Sequence, residues 1–152
     1  MIEALAGKAL GARDYSAFTQ AVRRSTILAL LTAIILSLLL LFAGHLAIAL
    51  LTDLEQIRTT AAAYSGYAAV YVLVSFAAFQ LDGIFIGVSF TREMRQAAIY
   101  SLAVFLLAMW LLIGPFGLQG LWLAMIVYVI ARALALLWYY PAILHAMAAR
   151  ET

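Results

Sequence analysis

Four long runs of apolar residues dominate this sequence, and almost no charge interrupts them. The runs cover residues 26–52, 60–89, 97–114 and 118–143, here called the first to fourth spans. About 20 apolar residues in a helix cross the hydrocarbon core of a bilayer. The runs are solidly apolar rather than alternating, and within one segment in lipid only a helix satisfies its own backbone. The sequence therefore predicts an all-α integral membrane protein with four transmembrane helices.

The composition supports a membrane protein and points away from several function classes. Of the residues, 68% are hydrophobic and 11% charged, whereas soluble domains are nearer half apolar and a quarter charged. The first apolar run begins too far from the N-terminus for a signal peptide. There is no cysteine, metal-ligand spacing, nucleophile elbow or phosphate loop. We therefore expect no enzyme, no cofactor or metal, and no nucleic-acid partner.

The distribution of Lys and Arg predicts the orientation in the membrane. With four spans, the N-terminal segment, the second loop and the C-terminal tail share one side. That side carries seven basic residues and the opposite side only Arg58. Positive charge favours the cytoplasm, so both termini are predicted to lie there, with the protein in the inner (plasma) membrane. The seven residues are Lys8, Arg13, Arg23, Arg24, Arg92, Arg95 and Arg150.

The connections between the spans are short, and their residues predict how the helices begin and end. Residues 53–58 form an elbow in which Thr52 or Asp53 is expected to be an N-cap. Thr91 is expected to cap the third helix, with Glu93 in its first turn. The Gly- and Pro-containing stretch 114–120 predicts a tight turn between the third and fourth helices.

Two opposite charges lie inside the spans, at matching depths. Asp82 is eight residues from the end of its span near Phe90, or about 12 Å deep at 1.5 Å per residue. Arg132 is six residues before Trp138, or about 9 Å deep by the same rise. An isolated charge in mid-membrane costs about 3 kcal/mol, so we expect the two to face each other or a shared polar cavity. The pair could fix helix register, or Asp82 could line a pathway and bind a proton or cation; the sequence leaves both open.

Other polar groups in the spans are weaker candidates. At 100° per residue, Tyr71 and Ser75 share the helix face of Asp82 and Gln80 is displaced, which predicts one polar stripe along a cavity or a set of ordinary interhelical hydrogen bonds. His45 is expected to be neutral and hydrogen-bonded. Small residues permit close helix contact, and the candidate packing glycines are Gly7, Gly11, Gly83 and Gly87.

Three stretches resemble the multidrug and toxic compound extrusion (MATE) transporters. EALAGKALGARD (3–14) is similar to the family pattern EALxGQxxGAxD, and LLTDLEQIRTTAAAY (50–64) to FTDDPEVxxxAxxY. The most specific stretch, FQLDGIFIGVSFTREMRQAAIYS (79–101), resembles LDGxxxGxxxTRxMRN. Its DGIFIG form points to the DinF-like branch. The stretch 117–134 is similar to the last helix of the family.

The resemblance implies a larger protein. Family members have twelve helices in two lobes, and this chain matches the end of helix 8 and helices 9–12, which is part of the C-terminal lobe. The implied activity is export of amphipathic or cationic compounds, coupled to H⁺ or Na⁺ influx. The implied partners are the bilayer, the N-terminal lobe, a drug-like substrate and the coupling ion. In another branch a carboxylate at the position of Ser75 contributes to the cation site, so that role does not transfer to this chain.

Three other functions stay open at the level of sequence. A stand-alone four-helix carrier could act as a dimer, although small carriers of that kind usually have a carboxylate in their first helix and the first span here has none. A flippase-type relative of the same superfamily is a further alternative. A non-transporting membrane subunit is the alternative from another functional class.

Overall fold

The computed structural model describes residues 2–12 and 14–148 and contains five helices there. Arg13 and Arg150, two of the seven basic residues behind the orientation, lie outside the described residues. Four helices are long and apolar enough to cross a membrane, and the described residues form no strand. The predicted all-α, four-span architecture is therefore confirmed. The helices are α1 (Ile2–Gly11), α2 (Tyr15–Leu51), α3 (Glu55–Gly87), α4 (Thr91–Phe116) and α5 (Leu118–Ala148).

Helix α2 begins well before the first apolar run. Asp14 is its N-cap, and the Asp14 carboxylate accepts a hydrogen bond of 2.8 Å from the Ala17 amide. Its 37 residues correspond to about 55 Å, far more than the hydrocarbon thickness of about 30 Å. The first turns of α2 therefore extend beyond the hydrocarbon core.

The prediction that Thr52 or Asp53 caps α3 is wrong. Thr52 is the C-cap of α2, and α3 has Leu54 as its N-cap without a side-chain hydrogen bond. The carbonyls at the end of α2 need donors, and Arg58 supplies them with bonds of 2.8 Å to Thr52 O and 2.9 Å to Ala49 O. The polar residues of this elbow thus close α2 rather than start α3.

The expected cap by Thr91 is also not formed. Phe90 is the N-cap of α4 and makes no side-chain cap bond, while Thr91 is the first helical residue. The chain turns at Ser89, which has a φ of 62°, and the Phe90 amide donates to the Phe85 carbonyl over 3.0 Å. Backbone bonding therefore makes the turn without a side-chain cap. Glu93 does lie in the first turn of α4, as predicted.

The turn predicted over residues 114–120 is much shorter in the structure. Helix α4 continues through Pro115 to Phe116, and α5 starts at Leu118. Gly117 alone interrupts the two helices, and its φ of 54° is one that glycine adopts without strain. Gly120 then allows close approach, because a Cβ there would overlap the Leu112 carbonyl.

Helix α3 is the centre of the bundle. It packs against α2 on one side and α5 on the other, whereas α4 packs mainly against α5, and α1 lies against α2 and α3. The largest buried side chains gather where α1 meets the end of α3 and the end of α5, here called the termini end of the bundle. They include Phe18, Ile84, Phe85, Leu136 and Ile143. By contrast, α2 and α4 expose apolar side chains along most of their length.

One buried hydroxyl ties α2 to α3 in mid-bundle. The Ser37 hydroxyl donates to the Ala69 carbonyl over 2.9 Å. Ser37→Ala should lower the free energy of unfolding by about 0.6 kcal/mol, the average for interhelical bonds in membranes, as measured by detergent-induced unfolding. Thr32→Val is the matched control, because the Thr32 hydroxyl bonds only the Leu28 carbonyl of its own helix. A loss as large for Thr32→Val would contradict the interhelical assignment.

Candidate functional site

Asp82 of α3 and Arg132 of α5 form a two-bond ion pair. Arg132 Nε donates to Asp82 Oδ2 over 2.9 Å, and Arg132 Nη2 donates to Asp82 Oδ1 over the same distance. The side chains are 16% and 18% exposed for Arg132 and Asp82. The sequence expectation that these two residues face each other is met. Paired N–H bonds to both oxygens are the strong form of this interaction.

The pair lies between α3 and α5. Asp82 and Arg132 both lie in helices that are apolar enough to span a membrane. An unpaired charge inside a membrane is costly. Within the described residues the other ion pair, Arg58–Asp53, is at the surface, with Asp53 fully exposed. Because the Arg132 guanidinium already neutralises Asp82 and bonds both of its oxygens, a cation at Asp82 would compete with Arg132 for the carboxylate.

The predicted stripe of Tyr71, Ser75 and Asp82 is divided in the structure. Tyr71 and Ser75 line a groove of about 480 Å³ between α2 and α3, and Asp82 does not line that groove. The Ser75 hydroxyl donates to the Val72 carbonyl of its own helix over 3.0 Å. One line of residues along α3 thus meets α2 at Ser75 and α5 at Asp82, because α3 lies between the two.

Gln80 is a site residue that the sequence reasoning set aside. It is buried, and its side-chain amide donates to the hydroxyls of Ser25 over 2.6 Å and Thr26 over 3.2 Å on α2. It also lines the groove that contains Tyr71 and Ser75. A signal was available: Gln80 precedes the end of α3 by seven residues, and the Ser-Thr pair starts ten residues into α2 at the same end.

Three of the four candidate packing glycines hold α1 against α3. A Cβ on Gly7 would lie 2.8 Å from the Gly87 carbonyl oxygen, and one on Gly83 would lie 2.6 Å from the Ile2 side chain. A Cβ on Gly87 would overlap the backbone of Glu3. Gly11 has no atom of the described residues within 4 Å of such a Cβ, so it makes no close helix contact there, and its part in helix packing stays a prediction.

His45 lies on the exposed face of α2. Among the described residues it makes no side-chain hydrogen bond, so the hydrogen-bonded histidine that was expected is not seen. It lies between Gly44, which is buried, and Leu46, which is 58% exposed. Nothing in its surroundings makes it part of the polar site on α3.

A family model named MatE matches residues 2–112 of the chain. The chain belongs to the MatE family. The match includes α1 to α3 and most of α4, and therefore Asp82, Gln80 and the α1–α3 glycines. Arg132 lies beyond residue 112.

A similarity to a known protein extends over most of the chain. The chain is 36% identical over 135 residues to the DNA damage-inducible protein F of Escherichia coli (strain K12). The alignment covers 89% of this chain but 29% of the relative, so the chain spans less than a third of the relative's length. This similarity places the chain in the DinF-like branch. No solved structure matches the chain significantly.

The MatE-like stretch over residues 79–101 makes contacts between helices. It covers the end of α3, the turn at Ser89 and the start of α4. Within it, Asp82 binds Arg132 of α5, while Gly83 and Gly87 admit α1. The most specific stretch of the sequence therefore joins α3 to α1, α4 and α5 at the termini end of the bundle.

Proposed function

We propose that this chain forms four helices in the C-terminal lobe of a multidrug and toxin efflux antiporter. The carrying observation is membership of the MatE family, with the DinF-like relative covering 89% of the chain. In this proposal the transporter exports amphipathic or cationic compounds, driven by inward H⁺ or Na⁺. The partners of the chain are the bilayer, the N-terminal lobe and the substrate. The chain lies in the plasma membrane, and both of its termini are in the cytoplasm.

The surface of the bundle supports assembly within a larger membrane protein. Helices α2 and α4 carry large exposed apolar side chains, among them Phe42 at 75% and Trp110 at 78% exposure. Lipid or another apolar helix surface suits these faces. The charges of Asp82 and Arg132 are paired inside the bundle, so these faces present neither of them.

Within this proposal the ion pair holds α3 against α5 rather than binding the coupling ion. Arg132 uses both oxygens of Asp82, and the two side chains are largely buried. Tyr71 and Ser75 face a separate groove, where they are candidates to line a pathway for substrate. This division assigns a structural role to Asp82 and Arg132 and a transport role to the groove.

Efflux of an amphipathic cation tests the proposed function. The full-length protein that contains this chain is expressed in bacterial cells lacking their major drug exporters, and accumulation of ethidium is followed by fluorescence. We expect lower steady-state ethidium than in cells with an empty vector. A protonophore should abolish the difference if H⁺ drives export, and removal of external Na⁺ should do so if Na⁺ drives it.

Two controls make the efflux result specific. Deletion of residues 1–152 from the full-length protein should abolish the difference, provided that immunoblots show membrane insertion. Expression of the chain alone should give no export, whereas export by the chain alone would support the stand-alone carrier instead. Equal accumulation of ethidium and other lipophilic cations with and without the full-length protein would contradict the proposal.

A further inference from the structure

Hydrogen bonding around Gln80 determines which way its side-chain amide points. The Ser25 and Thr26 hydroxyls donate to the Val22 carbonyl over 3.0 and 2.7 Å. Because a hydroxyl has one hydrogen, both groups can only accept from Gln80. Gln80 Nε2 therefore faces the two hydroxyls, and its carbonyl oxygen Oε1 faces away from them.

Gln80 Oε1 is an acceptor without a donor. No hydrogen bond to this atom is formed by the described residues. The residue is only 8% exposed, yet none of its side-chain polar atoms is both fully enclosed and unbonded. The oxygen therefore keeps some exposed surface, on a side chain that lines both the groove with Tyr71 and Ser75 and a second cavity. An unbonded acceptor in such apolar surroundings is unfavourable unless a partner reaches it.

A cavity of about 340 Å³ adjoins Gln80 between α2, α3 and α5. This volume is within the range of small-molecule sites. Thr26 and Tyr140 add polar atoms to a lining that is otherwise apolar, and no carboxylate or basic side chain lines it. The apolar wall includes Val22, Phe76, Leu81, Ile84 and Leu137.

We propose that this cavity binds a small, mainly apolar molecule that carries one N–H or O–H donor, which bonds Gln80 Oε1. The apolar and aromatic wall suits a ligand with an apolar body, and the single free acceptor suits a ligand with one hydrogen-bond donor. A lining without carboxylates favours a neutral donor over a cation. The site is distinct from the Asp82–Arg132 pair, and its existence does not depend on the proposed efflux activity.

A matched pair of fluorescent probes tests the site in the full-length protein in nanodiscs. 1-Aminoanthracene carries an N–H donor, and its N,N-dimethyl derivative has the same rings without one. Fluorescence titration, corrected with empty nanodiscs, should show saturable binding of 1-aminoanthracene. Gln80→Leu should weaken that binding about fivefold, the effect of one hydrogen bond, and should leave the dimethyl probe unaffected.

Other variants separate this cavity from its neighbour. Ala77→Phe fills the cavity without removing the acceptor and should abolish binding of both probes. Ala29→Phe makes the same change in the adjacent groove and should leave binding intact. Gln119→Leu removes an exposed amide at the start of α5 and controls for the loss of a glutamine. Circular dichroism and thermal unfolding show that each variant is folded.

The origin of the natural ligand can be read from the same titration. Competition by 1,2-dioctanoylglycerol, which has one hydroxyl donor, would support the site and identify a membrane lipid as its occupant. Binding without such competition would support it with a free small molecule as occupant. The proposal is overturned if wild-type protein shows no saturable binding, if Gln80→Leu weakens both probes equally, or if Ala77→Phe leaves binding unchanged.

Discussion

Replacing Asp82 by Asn should lower the free energy of unfolding by about 3 kcal/mol, because Arg132 would keep its charge in the bundle without a carboxylate. Arg132→Gln should cost a similar amount, since it leaves the buried carboxylate unpaired. The double variant Asp82→Asn/Arg132→Gln removes both charges and should lose less than the sum of the single losses. Detergent-induced unfolding of the purified protein measures all three values.

The surface ion pair provides a matched control. Asp53→Asn makes the same chemical change in a carboxylate that is fully exposed and bonds Arg58 over 3.3 Å. Exposed pairs contribute little, so we expect no measurable change for Asp53→Asn and additive effects when it is combined with Arg58→Gln. Additive losses at Asp82 and Arg132 would show that the two side chains are not energetically coupled.

Ethidium efflux by the same variants separates a structural pair from an ion-coupling carboxylate. If the pair only holds α3 against α5, Asp82→Asn should reduce efflux through lost stability, and the double variant should regain most of it. This is the result we expect, since Arg132 occupies both oxygens of Asp82. A stable double variant without efflux would instead assign Asp82 to ion coupling.

Replacing Gly87 by Ala should detach α1 from α3. The added methyl group would overlap the Glu3 backbone, which cannot move aside as a flexible side chain could. Forcing extra volume into a packed contact costs about 2 kcal/mol. The chain has no cysteine, so a spin-label pair at Ala4→Cys and Arg95→Cys reports the position of α1 cleanly once any cysteines elsewhere in the full-length protein are replaced. The distance distribution should broaden and shift in Gly87→Ala.

Gly66→Ala is the control for this experiment, because it lies in the same helix. No atom lies within 4 Å of a Cβ at Gly66, and alanine favours a helix over glycine. We expect an unchanged distance distribution and equal or slightly higher stability. An unchanged distribution in Gly87→Ala as well would mean that the close contact of α1 with α3 is not maintained in the membrane.

The apolar runs alone determined that the chain is a bundle of four membrane helices, because an unpaired backbone is not tolerated in lipid. The cost of an isolated charge likewise required a partner for Asp82, and Arg132 was the one basic residue inside a span. Motif spacing was sufficient for the MatE assignment, which the family match over residues 2–112 bears out. These inferences depend on single segments or on a strong energetic penalty, so sequence suffices for them.

Only the tertiary structure decided which neighbour each helix face meets. Periodicity placed Ser75 and Asp82 on one face of α3, but that face contacts α2 at one level and α5 at another. Gly87 admits α1, whereas a Cβ on Gly11, in an equally good pattern, would meet no atom of the described residues within 4 Å. Gln80 gained its role from Ser25 and Thr26, which are more than 50 residues away in sequence. A helical period determines direction around one axis, and contacts between helices depend on where two axes run relative to each other.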